Sequence, residues 1–360
     1  MKIGIVGLAQ SGKTTLFNAL TGAHIETAAF SKENAHRAVV KVPDDRLEQL
    51  TDIFQPKKKT PATIEYIDLA GLSPAQEKVG FSDQFLGQIR LVDAILVLVR
   101  AFEDDSILHP LKTVDPLRDF KYIEAEFIIS DLSIIENRMQ RLSRQMKSKK
   151  SDADMRELTL LEKCKAFLEN EKPLRQFEMS IDEEMIVRGY QFLTQKPLIL
   201  VLNISETDIQ HEEEKRATIP VTDLDSNSAL LAISAQIEME IGQLSDAEAV
   251  DFQKEIGIQQ SAMDKLIRTS HDLLGLISFF TVGDDEVKAW TIRSNTKAPQ
   301  AAGAVHTDFE RGFIRAEVVH FDDFIQRKSL TRCKSDGVMH LEGKEYIVKD
   351  GDIINFRFAI

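Results

Sequence analysis

The segment Gly7-Leu8-Ala9-Gln10-Ser11-Gly12-Lys13-Thr14 holds the residues best spaced for chemistry, fitting G-x-x-x-x-G-K-[ST]. It directly follows the apolar run Ile3 to Val6, which reads as a buried strand, and Thr15 to Leu20 read as a helix. In that setting the loop's backbone N–H groups point inward at phosphate oxygens, and the helix N-terminus adds the positive end of its dipole. Lys13 reaches the β- and γ-phosphates, and the Thr14 hydroxyl suits a Mg²⁺ ion. The expected phosphate-binding set is Gln10, Ser11, Gly12, Lys13, Thr14 and Thr15. A glycine turn with an incidental lysine is the plain alternative, disfavoured because pattern and context agree.

Two further segments complete the constellation. Asp68-Leu69-Ala70-Gly71 closes a second apolar strand. A carboxylate there can hold Mg²⁺ through a water, and the Gly71 N–H can sense a γ-phosphate. Alone, D-x-x-G is usually a strand-ending turn; after a phosphate loop it gains weight. Asn203-Ile204-Ser205-Glu206 ends the strand Leu198 to Leu202, where GTPases carry N-K-x-D. Here Glu206 is one methylene longer than Asp and Ile204 replaces Lys. Hydrogen-bond geometry tolerates little error, so the guanine contact is expected to be disturbed. The residues alone leave the base open, because adenine and guanine both offer amine donors. Ser234-Ala235, after the next strand, suits the backbone contact bordering the base.

Alternating strands and helices must position these groups. Val39 to Val42, Thr63 to Asp68 and Ala94 to Arg100 read as strands and Asp83 to Leu91 as a helix, which predicts a parallel sheet with crossover helices. Ile128, Leu132, Ile135, Met139, Leu142 and Met146 then repeat at heptad spacing. Met155, Leu158, Leu161 and Leu168 form a returning stripe, so an antiparallel helical hairpin is expected with its turn at Lys147 to Asp154. Ser180 and Glu183 make a capping box for a helix running to about Leu193. An acidic loop is expected over Glu206 to Asn227, a strand over Ala229 to Ser234, and a helix over Met263 to Leu274. Beyond Ile277 the pattern is β-rich, with Asp350-Gly351 as a hairpin turn between Tyr346-Ile347-Val348 and Ile353 to Phe358. The expected organisation is an α/β nucleotide domain over 1–122 and 196–276, a helical coiled-coil insertion over 123–195 and a small β-rich domain over 277–360.

The chain has 360 residues, 43% hydrophobic, which supports more than one core. No apolar run reaches the ~18 residues of a membrane span, and the sequence enters a strand at once, so neither membrane nor secretory signal is expected. Cys164 and Cys333 have no metal-ligand or redox spacing and read as reduced thiols, as in a cytoplasmic protein. A net charge of −13 argues against nonspecific DNA coating. It leaves room for a local patch: Arg138, Arg141, Arg144, Lys147, Lys149 and Lys150 gather toward the hairpin tip, either as an RNA-phosphate contact or as a solvated helix face. Lys57-Lys58-Lys59 reads as an exposed loop.

Together these residues resemble the YchF/Obg-like ATPases, a branch of the Obg group of P-loop NTPases. The resemblance covers nearly the whole chain. Its carriers are Asp68 to Leu72, Gln84-Phe85-Leu86, Ile89-Arg90, Val92 to Ile95, Asn203 to Glu206, Val287 to Ile292 and Ala298 to Glu317. It implies a C-terminal ubiquitin-like β-grasp (TGS) domain, slow hydrolysis of ATP in preference to GTP, and association with the ribosome or ribosomal RNA in translation or stress response. It also implies that Leu72 stands where Ras-like enzymes carry a water-orienting glutamine. A leucine cannot hydrogen-bond water, and the family assigns the task to a loop histidine, which His109 matches. A solvated loop histidine is the plainer reading of His109.

Two departures stand out. Gln10-Ser11 replace the family's Asn-Val, removing the asparagine that ligates K⁺ in cation-stimulated relatives and putting K⁺ activation in doubt. Lys32 falls where relatives carry the switch threonine that completes the Mg²⁺ shell. Three functions are therefore weighed: an ATP-preferring Mg²⁺-dependent NTPase, a nucleotide-gated binding module with negligible hydrolysis, and a GTP-preferring Obg-type GTPase.

Overall fold

Long apolar runs fold as buried strands, and the structure, a computed structural model, describes residues 1–22, 36–69, 81–148, 151–220, 224–258 and 260–359. The chain begins with β1 (Lys2–Val6), α1 (Lys13–Thr21), β2 (His36–Lys41), α2 (Asp45–Phe54), β3 (Lys58–Thr60) and β4 (Thr63–Asp68). It continues through α3 (Asp83–Arg90), β5 (Ala94–Arg100), α4 (Pro116–Ser148), α5 (Asp152–Glu169), α6 (Ile181–Val187) and β6 (Leu198–Asn203). Next come α7 (Glu212–Arg216), β7 (Ser228–Ile233), α8 (Ala235–Ile241), α9 (Asp246–Glu255) and α10 (Ala262–Leu273). The last part holds β8 (Leu276–Thr281), β9 (Glu286–Arg293), α11 (Ala298–Val305), β10 (Phe313–His320), β11 (His340–Glu342) and β12 (Asp352–Phe358). Two units emerge, 1–38 with 65–263 and 39–64 with 264–360, the boundaries falling inside β2, β4 and α10.

The first unit is the expected α/β domain. Its sheet runs β2-β4-β1-β5-β6-β7, with β1, β4, β5, β6 and β7 parallel. Every residue of β5 and β6 is buried, as a parallel sheet covered on both faces requires. The helical hairpin is present. Asp115, before Pro116, accepts from the Arg118 N–H (3.0 Å) and starts α4. Ile128, Ile135 and Leu142 of α4 pack on Leu160, Leu161, Cys164 and Leu168 of α5. Of the expected returning stripe, Leu161 and Leu168 are buried in the seam and Leu158 packs against it, whereas Met155 is 46% exposed; Leu160 and Cys164 join the seam. Leu174, Val187 and Phe192 join the same cluster, so the hairpin root is a small core.

Local departures have plain causes. The helix capped by Ser180 ends at Val187 and tightens into one 3₁₀ turn, Arg188–Tyr190, with Gln191 at φ 50° closing it. The acidic segment expected as a loop contains the 3₁₀ turn Glu206–His211 and α7. No described helix is long and apolar enough to cross a membrane.

The second unit is built on a mixed sheet, β11-β10-β12-β8-β9-β3. Its core gathers Phe279, Ile292, Val318 and Phe356 against Ala298, Ala301 and Ala302 of α11. Lys57, Lys58 and Lys59 are exposed, as expected, but Lys58 and Lys59 lie in a strand and not a loop. β3 adds to the sheet beside β9, and the three lysines pair with acids: Lys57, just before β3, with Asp285 (2.8 Å), Lys58 with Glu286 (2.9 Å) and Lys59 with Glu48 (2.7 Å). The expected hairpin around Asp350-Gly351 is also corrected. Ile347 makes only an isolated bridge to Lys297, whereas β12 pairs antiparallel with β10 and parallel with β8.

Candidate nucleotide-binding site

At the C-terminal ends of β1, β5 and β6 lies a cavity of about 780 Å³, where open α/β sheets bind ligands. One wall is the phosphate loop, through Gln10, Gly12, Lys13, Thr14 and Thr15. The loop's backbone explains its glycines. Gly12 sits at φ 93°, and a Cβ there would fall 2.2 Å from Asn203 Nδ2. A Cβ on Gly7 would meet the Leu98 carbonyl at 2.4 Å. Only glycine admits both approaches.

Lys13 is buried (6% exposed), its Nζ donating to the carbonyls of Gly7 (3.0 Å) and Leu8 (2.7 Å). Burial lowers its pKa to about 8, against the opposing pull of Asp68. Asp68 ends β4; burial pushes its carboxyl above its ordinary value, while Lys13, His36 and a Thr14 hydrogen bond pull the other way. Three buried polar atoms here have no hydrogen-bond partner: Ser11 Oγ, Asp68 Oδ1 and Ser234 Oγ. Buried polar groups left unpaired are costly, and such exceptions mark sites that take ligands.

The opposite wall comes from Asn203, Ile204, Ser205, Glu206 and Thr207, with Ser234. Asn203 ties the walls together, its Nδ2 donating to the Ser11 carbonyl (2.9 Å) and its Oδ1 accepting from the Ala235 N–H (3.1 Å). Ser11 and Ala235 thus join the site through backbone atoms, and neither lines the cavity. Ile204, where a lysine would stand, is buried in the apolar core, and Glu206 is exposed on the rim. Gly71, Leu72 and Lys32 lie outside the described residues.

His109 is not in the cavity wall. It is 8% exposed, its Nε2 lies 2.9 Å from Asp119 Oδ2, and its Nδ1 accepts the Leu111 N–H (3.1 Å). With Nδ1 accepting, Nε2 carries the proton donated to Asp119. Sequence reasoning missed other parts of the wall: Phe102, Glu103, Asp104 and Ile107, from the loop after β5, and Gln236 and Met239 of α8. The available signal was position, since loops at the C-terminal edge of a parallel sheet surround the ligand.

At the hairpin tip Arg138 is neutralised by Glu157, Nε–Oε1 2.7 Å and Nη2–Oε2 2.8 Å. Arg141, Arg144 and Lys147 are exposed, without a carboxylate partner among the described residues. Lys149 and Lys150 lie outside those residues.

Comparison with known proteins agrees with this architecture. Residues 2–129 match the family model described as "50S ribosome-binding GTPase", and residues 276–359 match YchF-GTPase_C, described as "Protein of unknown function (DUF933)". The chain is 42% identical to the "Ribosome-binding ATPase YchF" of Bacillus subtilis, covering 99% of each. It is 36% identical to the "Obg-like ATPase 1" of Schizosaccharomyces pombe, covering 99% of this chain and 94% of that one. The solved Schizosaccharomyces pombe YchF GTPase superposes with a TM-score of 0.88 at 34% identity, covering 99% of this chain and 97% of that one.

Proposed function

This chain belongs to the YchF family of P-loop NTPases, and we propose that it is a Mg²⁺-dependent ATP hydrolase of slow intrinsic turnover that acts on the ribosome. The observation that carries the chemistry is a buried, partly deprotonatable Lys13 lining a cavity with Ser234, whose hydroxyl is unpartnered, while the unpartnered oxygens of Ser11 and Asp68 lie behind the lining residues. In this reading the loop amides and Lys13 bind the β- and γ-phosphate oxygens and stabilise charge developing on them. Asp68 Oδ1, buried beside Thr14, suits a magnesium ion held through water. Such an ion neutralises phosphate charge when bound. Asn203 holds the two walls in register, and the Ser234 hydroxyl faces the base. ATP is assigned over GTP because Ile204 and Glu206 disturb the guanine contact and because the relatives bear the name ATPase. Ribosome association rests on the relatives' name and on the free cations Arg141, Arg144 and Lys147.

Lys13→Ala is expected to abolish phosphate release while leaving the fold intact; retained turnover refutes the site. Titration with ATP, GTP and ADP in Mg²⁺ settles the base, and tighter GTP binding overturns the assignment.

One observation favours a second reading, a nucleotide-gated binding module. His109, the residue assigned to orient water, is engaged by Asp119 and the Leu111 N–H. Its role requires the loop after β5 to release it. A single-turnover assay with and without ribosomes separates the readings, because a module releases no phosphate in either condition.

A further inference from the structure

Arg100, the last residue of β5, is the largest fully buried side chain among the described residues. Among the described residues it has no carboxylate at ion-pair distance. Its guanidinium instead turns back on its own following loop. Nε donates to the Phe102 carbonyl (3.0 Å), Nη1 to the Ile107 carbonyl (2.9 Å) and Nη2 to the Asp104 carbonyl (3.2 Å). The guanidinium also lies over the Phe102 ring, 4.6 Å from its centroid. A buried charge out of reach of an ion pair is expensive, so its direct contacts must be fixed dipoles, the Asp104 carboxylate acting on it only at longer range. Three carbonyls and an aromatic face supply them, and they hold the loop in one shape. The planar fork of arginine allows this; a lysine ammonium cannot span the three acceptors in the same way.

The residues so gathered are those that line the nucleotide cavity: Phe102, Asp104 and Ile107. The loop is also tied to the opposite wall, since the Ala101 N–H donates to the Asn203 carbonyl (2.8 Å). Among the described residues lining the cavity, Phe102 is the only aromatic one, with Arg100 over one face of its ring. We propose that Arg100 is a positioning residue for the base-bearing part of the nucleotide: it folds the 102–107 loop around its guanidinium and so sets the wall that Phe102 presents. The side-chain hydrogen bonds of Arg100 reach this loop and not the phosphate loop. The proposal rests on the nucleotide reading given above.

The test uses the full chain with ATP, ADP and tripolyphosphate as probes, each with Mg²⁺ and measured by calorimetry. Arg100→Lys is expected to weaken ATP and ADP about tenfold, the equivalent of one net hydrogen bond, with tripolyphosphate affinity unchanged. Phe102→Ala is expected to weaken the same two ligands. The double variant should bind no more weakly than the worse single variant, because both changes undo one wall. Nucleotide affinity unchanged in a folded Arg100→Lys protein overturns the proposal, as does an equal loss for tripolyphosphate or strict additivity in the double variant. If Arg100→Lys does not fold, amide exchange in the wild-type chain decides. ADP should slow exchange across 102–109 and tripolyphosphate should not; no slowing by ADP overturns the proposal. Failure of the wild-type chain to bind any probe sinks the nucleotide reading instead.

Discussion

Two buried polar clusters in the first unit contrast sharply. At the hairpin root, Asp131 is fully buried and completely satisfied. Its Oδ1 accepts from Arg90 Nη1 (2.8 Å) and the Leu193 N–H (3.1 Å), and its Oδ2 from the Thr194 N–H and hydroxyl (both 2.8 Å). Arg90 also donates to Ser130 and to the Gln191 carbonyl, so one carboxylate joins α3, α4 and the segment leading to β6. In and behind the wall of the nucleotide cavity, by contrast, Ser11, Asp68 and Ser234 each leave a buried oxygen unpaired, and of the three only Ser234 lines the cavity. The same element types bury both clusters. The difference is that one is closed by the chain itself, whereas the other leaves atoms that no described residue satisfies.

The contrast can be broken at either end. Asp131→Ala leaves Arg90 and two backbone donors without their acceptor and should cost about 3–5 kcal/mol of stability, read by urea unfolding; a cost under ~1 kcal/mol would erase the distinction. Gly12→Ala should cost about 1–2 kcal/mol for the left-handed backbone. It also drives Asn203 Nδ2 aside, so ADP affinity should fall by more than the loss of stability explains.

Asp68→Asn should behave in the opposite sense to Asp131→Ala. Burial raises the folded-state pKa of Asp68, so its charge is a liability above that pKa, relieved as pH falls through it toward the ordinary carboxylate range. The asparagine variant should therefore be the more stable protein at pH 7, with the gain fading in acid, while the Mg²⁺-dependent part of nucleotide binding is lost. A destabilised variant would place Asp68 with Asp131.

The smallest effect is a proton count. Lys13 has its pKa lowered to about 8, and bound phosphate raises it again. Nucleotide binding should therefore take up a fraction of a proton near neutrality, rising toward one as pH passes 8. Calorimetry in buffers of different ionisation enthalpy reads this, and uptake independent of pH would mean that Lys13 does not meet the phosphates.

Much of this was legible before the structure. The phosphate loop, Asp68 and Asn203 announce themselves because the backbone geometry and charge they need restrict residue type at fixed spacing. The heptads of α4 were equally plain, because burying one helix face forces a period. The loop after β5 was not legible. Phe102, Asp104 and Ile107 are ordinary residues, and nothing in their spacing says that Arg100 folds them onto the cavity. Nor did spacing place His109 against Asp119 or the lysines of β3 beside β9.

The chain's order of residues determined the phosphate loop, the parallel strands and the helical hairpin, since each follows from local backbone preference and the period of apolar side chains. Tertiary structure alone decided which buried polar atoms are satisfied. It closed Asp131 with donors about sixty residues away and left Ser11, Asp68 and Ser234 open. Hydrogen bonds act over about 3 Å, and the distance between two groups far apart in sequence is fixed only when the core around them has packed.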